Sequence, residues 1–467
     1  MKKAMIVVSV LCVLMLGSCF SPWGNSGEGR LVIALGSTGS SARTLPDFDE
    51  GRTFDHEVIL TAPGRTPVVR WFSGTSGTIT VPVGEWHISI RAWGPIHEDY
   101  ASANAQLGIT DQFPARMLRA VWEIHNDGYP FPIQPGQETV LEEDFLNLHP
   151  AANVSTHAQL LVAIDLAEPF EEKFILIERG FEAEGTYTID DNRRIFLFAD
   201  SPITITRKLA HGDEIFYVGA IGIPSTLTLG INEGMGGMRG SITINGAISG
   251  NAQNALVVVT DGTFEMHDGV TLTRNEVDGP SFNFDVGGVL VLPDGTFEMH
   301  GGIISDNTGE GWAGTGGVIV VGGTFNMSGG TIFRNKGEVA GGVSVRGGTF
   351  NMFGGTISGN KGREVGGVRV PTGGSYFYMH GGTISRNKGE EVGGVNVING
   401  LPLRMSNGVI YGSDVPLLAN VATDLLSGVA AVNYEIIQLV DSLGFALGNP
   451  RTVNGNDTIR VADGERQ

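Results

Sequence analysis

Cysteine is almost missing from this chain: two residues, Cys12 and Cys19, in 467. A disulfide framework is therefore excluded, and stability must come from packing. Positive charge is scarce as well. Thirty Lys and Arg stand against 50 Asp and Glu, for a formal charge of −20, which argues against nucleic acid as a partner and against adsorption to anionic lipid by charge. No apolar run beyond residues 4–16 stands out, and that one is too short for a comfortable transmembrane helix. GxSxG, HExxH, a phosphate loop and paired-cysteine motifs are all lacking, so no enzyme class announces itself. Glycine is what abounds, 70 residues, without the strict period of collagen.

The glycines belong to a repeat between residues 261 and 410. A Gly-Gly-Val unit begins at Gly287, Gly316, Gly341, Gly366 and Gly393. A Phe-x-Met unit stands at Phe264/Met266, Phe297/Met299, Phe325/Met327, Phe350/Met352 and Phe377/Met379. Leu272/Asn275 is followed by Ile-x-x-Asn at Ile304/Asn307, Ile332/Asn335, Ile357/Asn360 and Ile384/Asn387. A fixed period of this size means a solenoid, propeller or array. The period-two alternation predicts short strands with one buried face, and Gly-Gly pairs supply corners. Three strands and three corners per copy predict one coil of a parallel β-helix; a propeller blade needs four strands and more residues. Stacked coils put Phe on Phe, Met on Met, and the Asn residues in a ladder at one corner.

These repeats resemble the GGA-I and FxxN repeats of polymorphic outer-membrane proteins and Gly-rich repeats in surface lipoproteins of host-associated bacteria. Val replaces Ala and Ile replaces Phe here. That resemblance, over roughly residues 150–415, implies a right-handed parallel β-helix like that of pectate lyases, and a passenger or adhesin role at the cell surface. Residues 1–18 read as a secretion signal: Lys2 and Lys3, then an apolar run. Leu16-Gly17-Ser18-Cys19 resembles the lipobox of bacterial lipoproteins, which implies a lipidated Cys19 and an outer-membrane or cell-surface location. Cys12 leaves with the leader.

Residues 19–29 (SPWGNSGEG from residue 21) read as a flexible tether. Residues 30–148 carry several short strand patterns separated by turns, as in a β-sandwich. The segments at 42–46, 81–86 and 133–137 resemble immunoglobulin-like or fimbrillin-like domains. Residues 155–166 (STHAQLLVAIDL) predict a short helix capped by Ser155 or Thr156, with Leu160, Leu161 and Ile164 facing a coil end. The β-helix is expected over 149–413, with Ser413 in the last Asn position, and a C-terminal cap or small β-appendage over 414–467.

Four surface features could carry chemistry. Glu265, His267, Glu298 and His300 flank inward Met residues in successive copies, so their side chains face outward; such O and N donors suit a divalent metal. The plainer reading is a solvated strand face, since His380 recurs with Tyr378 where the Glu would be. Asp261, Asp294 and Asp268 could hold Ca²⁺ as the pectate-lyase relatives do, although Asp-Gly is also ordinary turn chemistry. Lys336, Lys361 and Lys388 stack beside Glu338, Glu364 and Glu390, as a basic strip or a surface charge ladder. Finally, the corner after Asn is long at 276–286 and 308–315 and brings Phe282, Phe284, Asp285 and Trp312 to one side. Aromatics beside acceptors fit a glycan or protein ligand, unless they pack on the coil beneath. The expectation is a non-enzymatic, lipid-anchored binding or adhesion protein for glycan or matrix protein. A polysaccharide lyase or hydrolase and a structural surface component are the competing readings.

Overall fold

The computed structural model describes residues 27–34, 54–74, 76–96, 99–100, 102, 116–124, 130–142, 146–208, 213–230, 240–247, 254–277, 285–311, 313–371, 374–397, 403–412, 415–422, 436–439, 451–452, 459–462 and 465–466. The chain is all-β in character, and its larger part is a solenoid-like stack of parallel sheets. One turn of the stack is Val343–Arg346, Thr349–Met352, Thr356–Ser358 and Lys361–Gly362. Each strand pairs in parallel with its equivalent in the next turn: Val343 with Val368, Phe350 with Phe377, Ile357 with Ile384, Lys361 with Lys388. The fourth strand, Lys-Gly, is a correction to the three-strand coil. Two residues lack the alternation by which a strand is recognised, so only pairing reveals it.

The inward columns follow the repeat. Phe264, Phe297, Phe325, Phe350 and Phe377 stack ring on ring at 4.6–5.0 Å and 6–12°, and Met, Val and Ile columns fill the rest of one continuous core. Each buried Phe or Val contributes roughly 1.5–3 kcal/mol.

The Asn corner is the most regular part. Asn275, Asn307, Asn335, Asn360 and Asn387 are all buried. Each Oδ1 from Asn307 onward accepts the backbone N–H of the previous Asn, at 3.0–3.1 Å. Each Nδ2 from Asn307 to Asn387 reaches back to an apolar residue's carbonyl in the previous turn, such as Asn335 to Ile304 at 2.9 Å, and on to the next Asn Oδ1. The residue before each Asn turns the corner at positive φ: Arg274 57°, Asp306 56°, Arg334 53°, Gly359 64°, Arg386 57°. Only Gly359 does so without the penalty an L side chain incurs there. The ladder ends on Asn420, whose Oδ1 takes the Asn387 N–H and Nδ2, both at 3.0 Å. That corrects the assignment of Ser413, itself outside the described residues: the chain detours after Ile410 and returns to the column seven residues late. At the other end, buried Arg207 donates to Asn275 Oδ1.

The helix spans His157–Asp165 with Thr156 as N-cap, its hydroxyl accepting from Gln159 N. Leu160, Ala163 and Ile164 join the solenoid core at its first turns. Leu161 is exposed and does not; a helix meeting the coil end along one stripe leaves no room for both adjacent leucines.

Before the helix lie two groups of strands. Glu28–Ala34 pairs with Ser76–Pro82 and Glu138–Glu142. Asp55–Thr61, Val68–Ser73, Gly84–Pro95, Arg116–Ile124 and Leu146–Val154 form an antiparallel sheet. Both groups share a buried cluster containing Leu31, Ile33, Val58, Ile79, Trp86 and Ile90. Leu146–Val154 belongs to two systems. Its first half pairs antiparallel with Arg116–Ile124, its second half parallel with Glu172–Ile177. The boundary expected at 148/149 thus falls inside one strand.

At the far end, Gly408–Ile410 pairs antiparallel with Ile459–Ala462, and Ile436–Leu439 joins Leu403–Met405 in parallel. These strands occupy edges that would otherwise be open to another chain.

Candidate functional site

The sheet built on the Phe-x-Met strands has an outward face; the position before each Phe forms a column of Thr263, Thr296, Thr324, Thr349 and Tyr376, and two further columns carry more varied side chains. One is Phe174, Phe196, Thr228, Glu265, Glu298, Asn326, Asn351, Tyr378 and Arg404. The other runs one position beyond each Met: His267, His300, Ser328, Phe353, His380 and Ser406. Their chemistry changes along the stack in three zones.

In the first zone the face is aromatic and covered. Phe174 and Phe196 stack at 4.6 Å and 3°, and with Phe198 they form a buried cluster with Leu118, Val121 and Trp93 of the preceding sheet. Arg91 seals it: its guanidinium lies 5.0 Å from the Phe198 ring centre and binds both Asp200 oxygens at 2.6 and 3.1 Å.

The middle zone is polar and hydrogen-bonded from turn to turn. Thr228 donates to Glu265 at 3.1 Å, Asn326 to Glu298 at 2.6 Å, and Asn351 to Asn326 at 2.8 Å. The His267 and His300 rings stack at 4.8 Å, and His300 Nδ1 meets Ser328 Oγ at 3.2 Å. The His267 side chain holds the Glu265 carboxyl below its ordinary range, with its Nε2 3.9 Å from a carboxylate oxygen. Burial opposes this, and the Thr228 hydrogen bond adds to it.

The last zone is aromatic and open. Phe353 is 51% and Tyr376 41% exposed. Phe353 stacks on His380 at 5.2 Å, Tyr378 lies parallel to His380 at 6.1 Å, and Tyr376 follows at 6.2 Å. Arg404 lies over both tyrosine rings, at 5.4 and 5.1 Å, and donates to Tyr378 Oη. His380 Nδ1 meets Ser406 Oγ at 2.8 Å. The same Ser-His contact recurs three turns away at His300, which marks it as a ladder motif and not a single nucleophile with its base.

The structure thus brings Glu265, His267, Glu298 and His300 onto one face as the alternation requires. It does not gather them into a ligand set: among the described residues no group of three His, Cys, Asp or Glu is placed to hold a metal ion. Glu265, Glu298 and His300 are hydrogen-bonded to Thr228, Asn326 and Ser328 of neighbouring turns, and His267 stands beside Glu265. Asp261 and Asp268 likewise serve corners, accepting from Gly222 N at 2.8 Å and Gly302 N at 3.2 Å, while Asp261 and Asp294 sit at φ of 47° and 60°. Lys336, Lys361 and Lys388 are in register. Lys336 pairs with Glu310 at 2.8 Å, and Arg363 takes Glu338; these are exposed pairs of small energetic weight. Of the long-corner candidates, Phe282, Phe284 and Trp312 lie outside the described residues, as does Cys19. Asp285 is described and is buried, 1% exposed, so it is not the open acceptor that a ligand would meet.

Sequence reasoning missed Phe353, Tyr376 and Arg404. The signal was present: Phe353 follows a Met and so falls in the His267 column, Arg404 precedes a Met and so falls in the Glu265 column, and Tyr376 takes the place of the Thr before each Phe.

No protein-family model matches the chain, and neither a curated protein nor a solved structure does. Among the described residues no helix is long and apolar enough to cross a membrane.

Proposed function

We propose that this is a non-enzymatic binding protein of the cell surface whose solenoid presents the outward Phe-x-Met face to a glycan. The open aromatic zone at Phe353, Tyr376, Tyr378 and His380, continuous with the amide and carboxylate ladder of Asn351, Asn326 and Glu298, carries the reading. Exposed rings supply apolar faces for the C–H surfaces of a sugar, and ladder amides supply donors and acceptors for its hydroxyls. Adjacent turns lie ~4.8 Å apart, so an extended chain laid along the axis meets similar groups at regular intervals.

On this reading the solenoid is a right-handed parallel β-helix related to the polymorphic outer-membrane repeats. The strands before it form a β-sandwich of immunoglobulin-like type, and Cys19 bears a lipid that holds the protein at the outer membrane. The lyase alternative draws less support, since the carboxylates it needs are engaged in corners.

The test is a glycan and matrix-protein panel probed with the chain from residue 20 onward, then repeated with Phe353→Ala and Tyr376→Ala. Both sites are exposed, so folding should hold. A glycan that binds wild type should bind either variant roughly tenfold more weakly, the equivalent of about 1.4 kcal/mol. Binding untouched by both substitutions, or confined to matrix proteins, would remove the basis of the proposal.

A further inference from the structure

The column that begins at Glu265 reverses its charge along the stack. It reads Glu265, Glu298, Asn326, Asn351, Tyr378 and Arg404, each in register with the next. Two carboxylates stand at one end, two amides follow, and a guanidinium stands at the other end. Glu298 and Arg404 are four turns apart in that register, about 19 Å at the usual strand spacing. The glycan surface proposed above therefore has a direction.

Its basic end is unusual for a chain of formal charge −20. Arg334 and Arg363, also on the solenoid surface, pair with Asp306 and Glu338. Among the described residues no carboxylate lies within ion-pair distance of Arg404. Its half-buried side chain is held by aromatic contacts instead. The guanidinium lies over Tyr376 and Tyr378, 5.4 and 5.1 Å from their ring centres, and Nη1 donates to Tyr378 Oη. A guanidinium carries its N–H donors in a fixed planar fork, and the remaining donors match the paired oxygens of a carboxylate or sulfate. The rings fix the plane of that fork beside the open aromatic zone.

The acidic end acts the other way. Glu265 and Glu298 are half-buried and accept hydrogen bonds from Thr228 and Asn326. They can take further hydrogen bonds from sugar hydroxyls, but a like charge set against them is costly.

We infer, building on the glycan reading of this face, that it selects a glycan carrying its acid group at one place only. The acidic unit is held by Arg404. Neutral units lie over Tyr378 and Phe353 and along the amides of Asn351 and Asn326. Glu298 and Glu265 turn away chains that are acidic at every unit. A carboxylate and a sulfate ester offer Arg404 the same chemistry.

The experiment is an array of cello-, chito- and N-acetyllactosamine oligosaccharides probed with the full-length protein. Each is present unmodified, with one terminal carboxylate and with one terminal sulfate. Hexagalacturonate and heparin hexasaccharide, acidic throughout, stand beside them. Wild type should bind a singly acidic form roughly tenfold more tightly than its unmodified parent, the worth of one charge-assisted hydrogen bond. The tighter of the two terminal groups identifies the natural acid. The fully acidic chains should bind no better than neutral ones. Arg404→Gln, which keeps an amide donor for Tyr378 Oη, should erase the preference, and Arg404→Lys should keep part of it. Glu298→Gln, which leaves the arginine untouched, should strengthen binding of hexagalacturonate. Equal binding of acidic and unmodified forms, with both weakened by Phe353→Ala, would overturn the selection and leave the glycan reading standing. A preference that survives Arg404→Gln would also overturn it. No binding to any member of the array would remove both.

Discussion

Replacing Asn335 by Ala tests the buried ladder where it is most regular. The side chain is fully buried and makes four hydrogen bonds: Oδ1 accepts from Asn307 N at 3.1 Å and Asn307 Nδ2 at 3.2 Å, and Nδ2 donates to Ile304 O at 2.9 Å and Asn360 Oδ1 at 3.1 Å. After the substitution Asn307 Nδ2 keeps the Leu272 carbonyl, and Asn360 Oδ1 keeps the Asn335 backbone N–H. The Asn307 N–H loses its acceptor, and the Ile304 carbonyl loses this donor. Each orphaned buried group costs about 1–3 kcal/mol, so the expected loss is roughly 3–5 kcal/mol. Asn351→Ala breaks one amide-to-amide bond, to Asn326 on the half-exposed face, and should cost about 1 kcal/mol or less. Urea unfolding of the two variants gives the comparison. Hydrogen exchange adds a local readout, since the Asn307 amide should lose protection well beyond its neighbours. Equal losses in the two variants, or an Asn307 amide that stays protected, would refute the account.

Other expectations follow from the packing. Phe350→Ala opens a gap inside the five-ring stack and should cost about 3–5 kcal/mol, seen as an earlier urea midpoint; a loss no larger than that of Asn351→Ala would contradict the inward placement. Buried His56, stacked on Phe72 at 4.8 Å, has its pKa lowered to about 4, mainly by burial. Because the unfolded chain takes up the proton first, stability should fall as pH drops from about 6.5 towards 4, by roughly 2–4 kcal/mol. His56→Phe should flatten that part of the melting profile. Arg91→Ala removes two hydrogen bonds to Asp200 and uncovers the Phe198 ring, so limited proteolysis should cut near residue 200 faster than in wild type, with the repeats still protected. Cys19→Ser should release the protein from the membrane fraction, and wild type found in the aqueous phase with an unmodified Cys19 would defeat the anchor.

The solenoid was legible because its periodicity is repeated in sequence. Alternation around Phe350 and Met352 set their facing, and the return of Asn after Ile set the corner. The Lys-Gly strand left no such mark, being two residues long. Asn420 was hidden because the detour after Ile410 breaks the spacing on which recognition of the column depends. Arg207 was invisible for a related reason: a lone cation among irregular early turns has no repeat partner until Asn275 is seen beside it. The aromatic zone could have been found by carrying the His267 column through to Phe353. The Glu-Met-His match covers only two copies, and the varying loop length draws attention to a different corner.

The Asn ladder has a consequence for descent. Every interior turn gives its neighbour the acceptor that it receives from the other side, and the donors all run the same way along the axis. Only the ends are particular: Arg207 at the start, and Asn420 with its Nδ2 on Tyr411 O and Ile384 O at the finish. A recombination event that excised residues 341–365 would join Ala340 to Gly366 and set Asn387 against Asn335, leaving no ladder group unpaired. The gene can therefore lengthen or shorten by whole turns without a compensating change elsewhere, and the reach of the molecule becomes a quantity that selection adjusts in steps of ~4.8 Å.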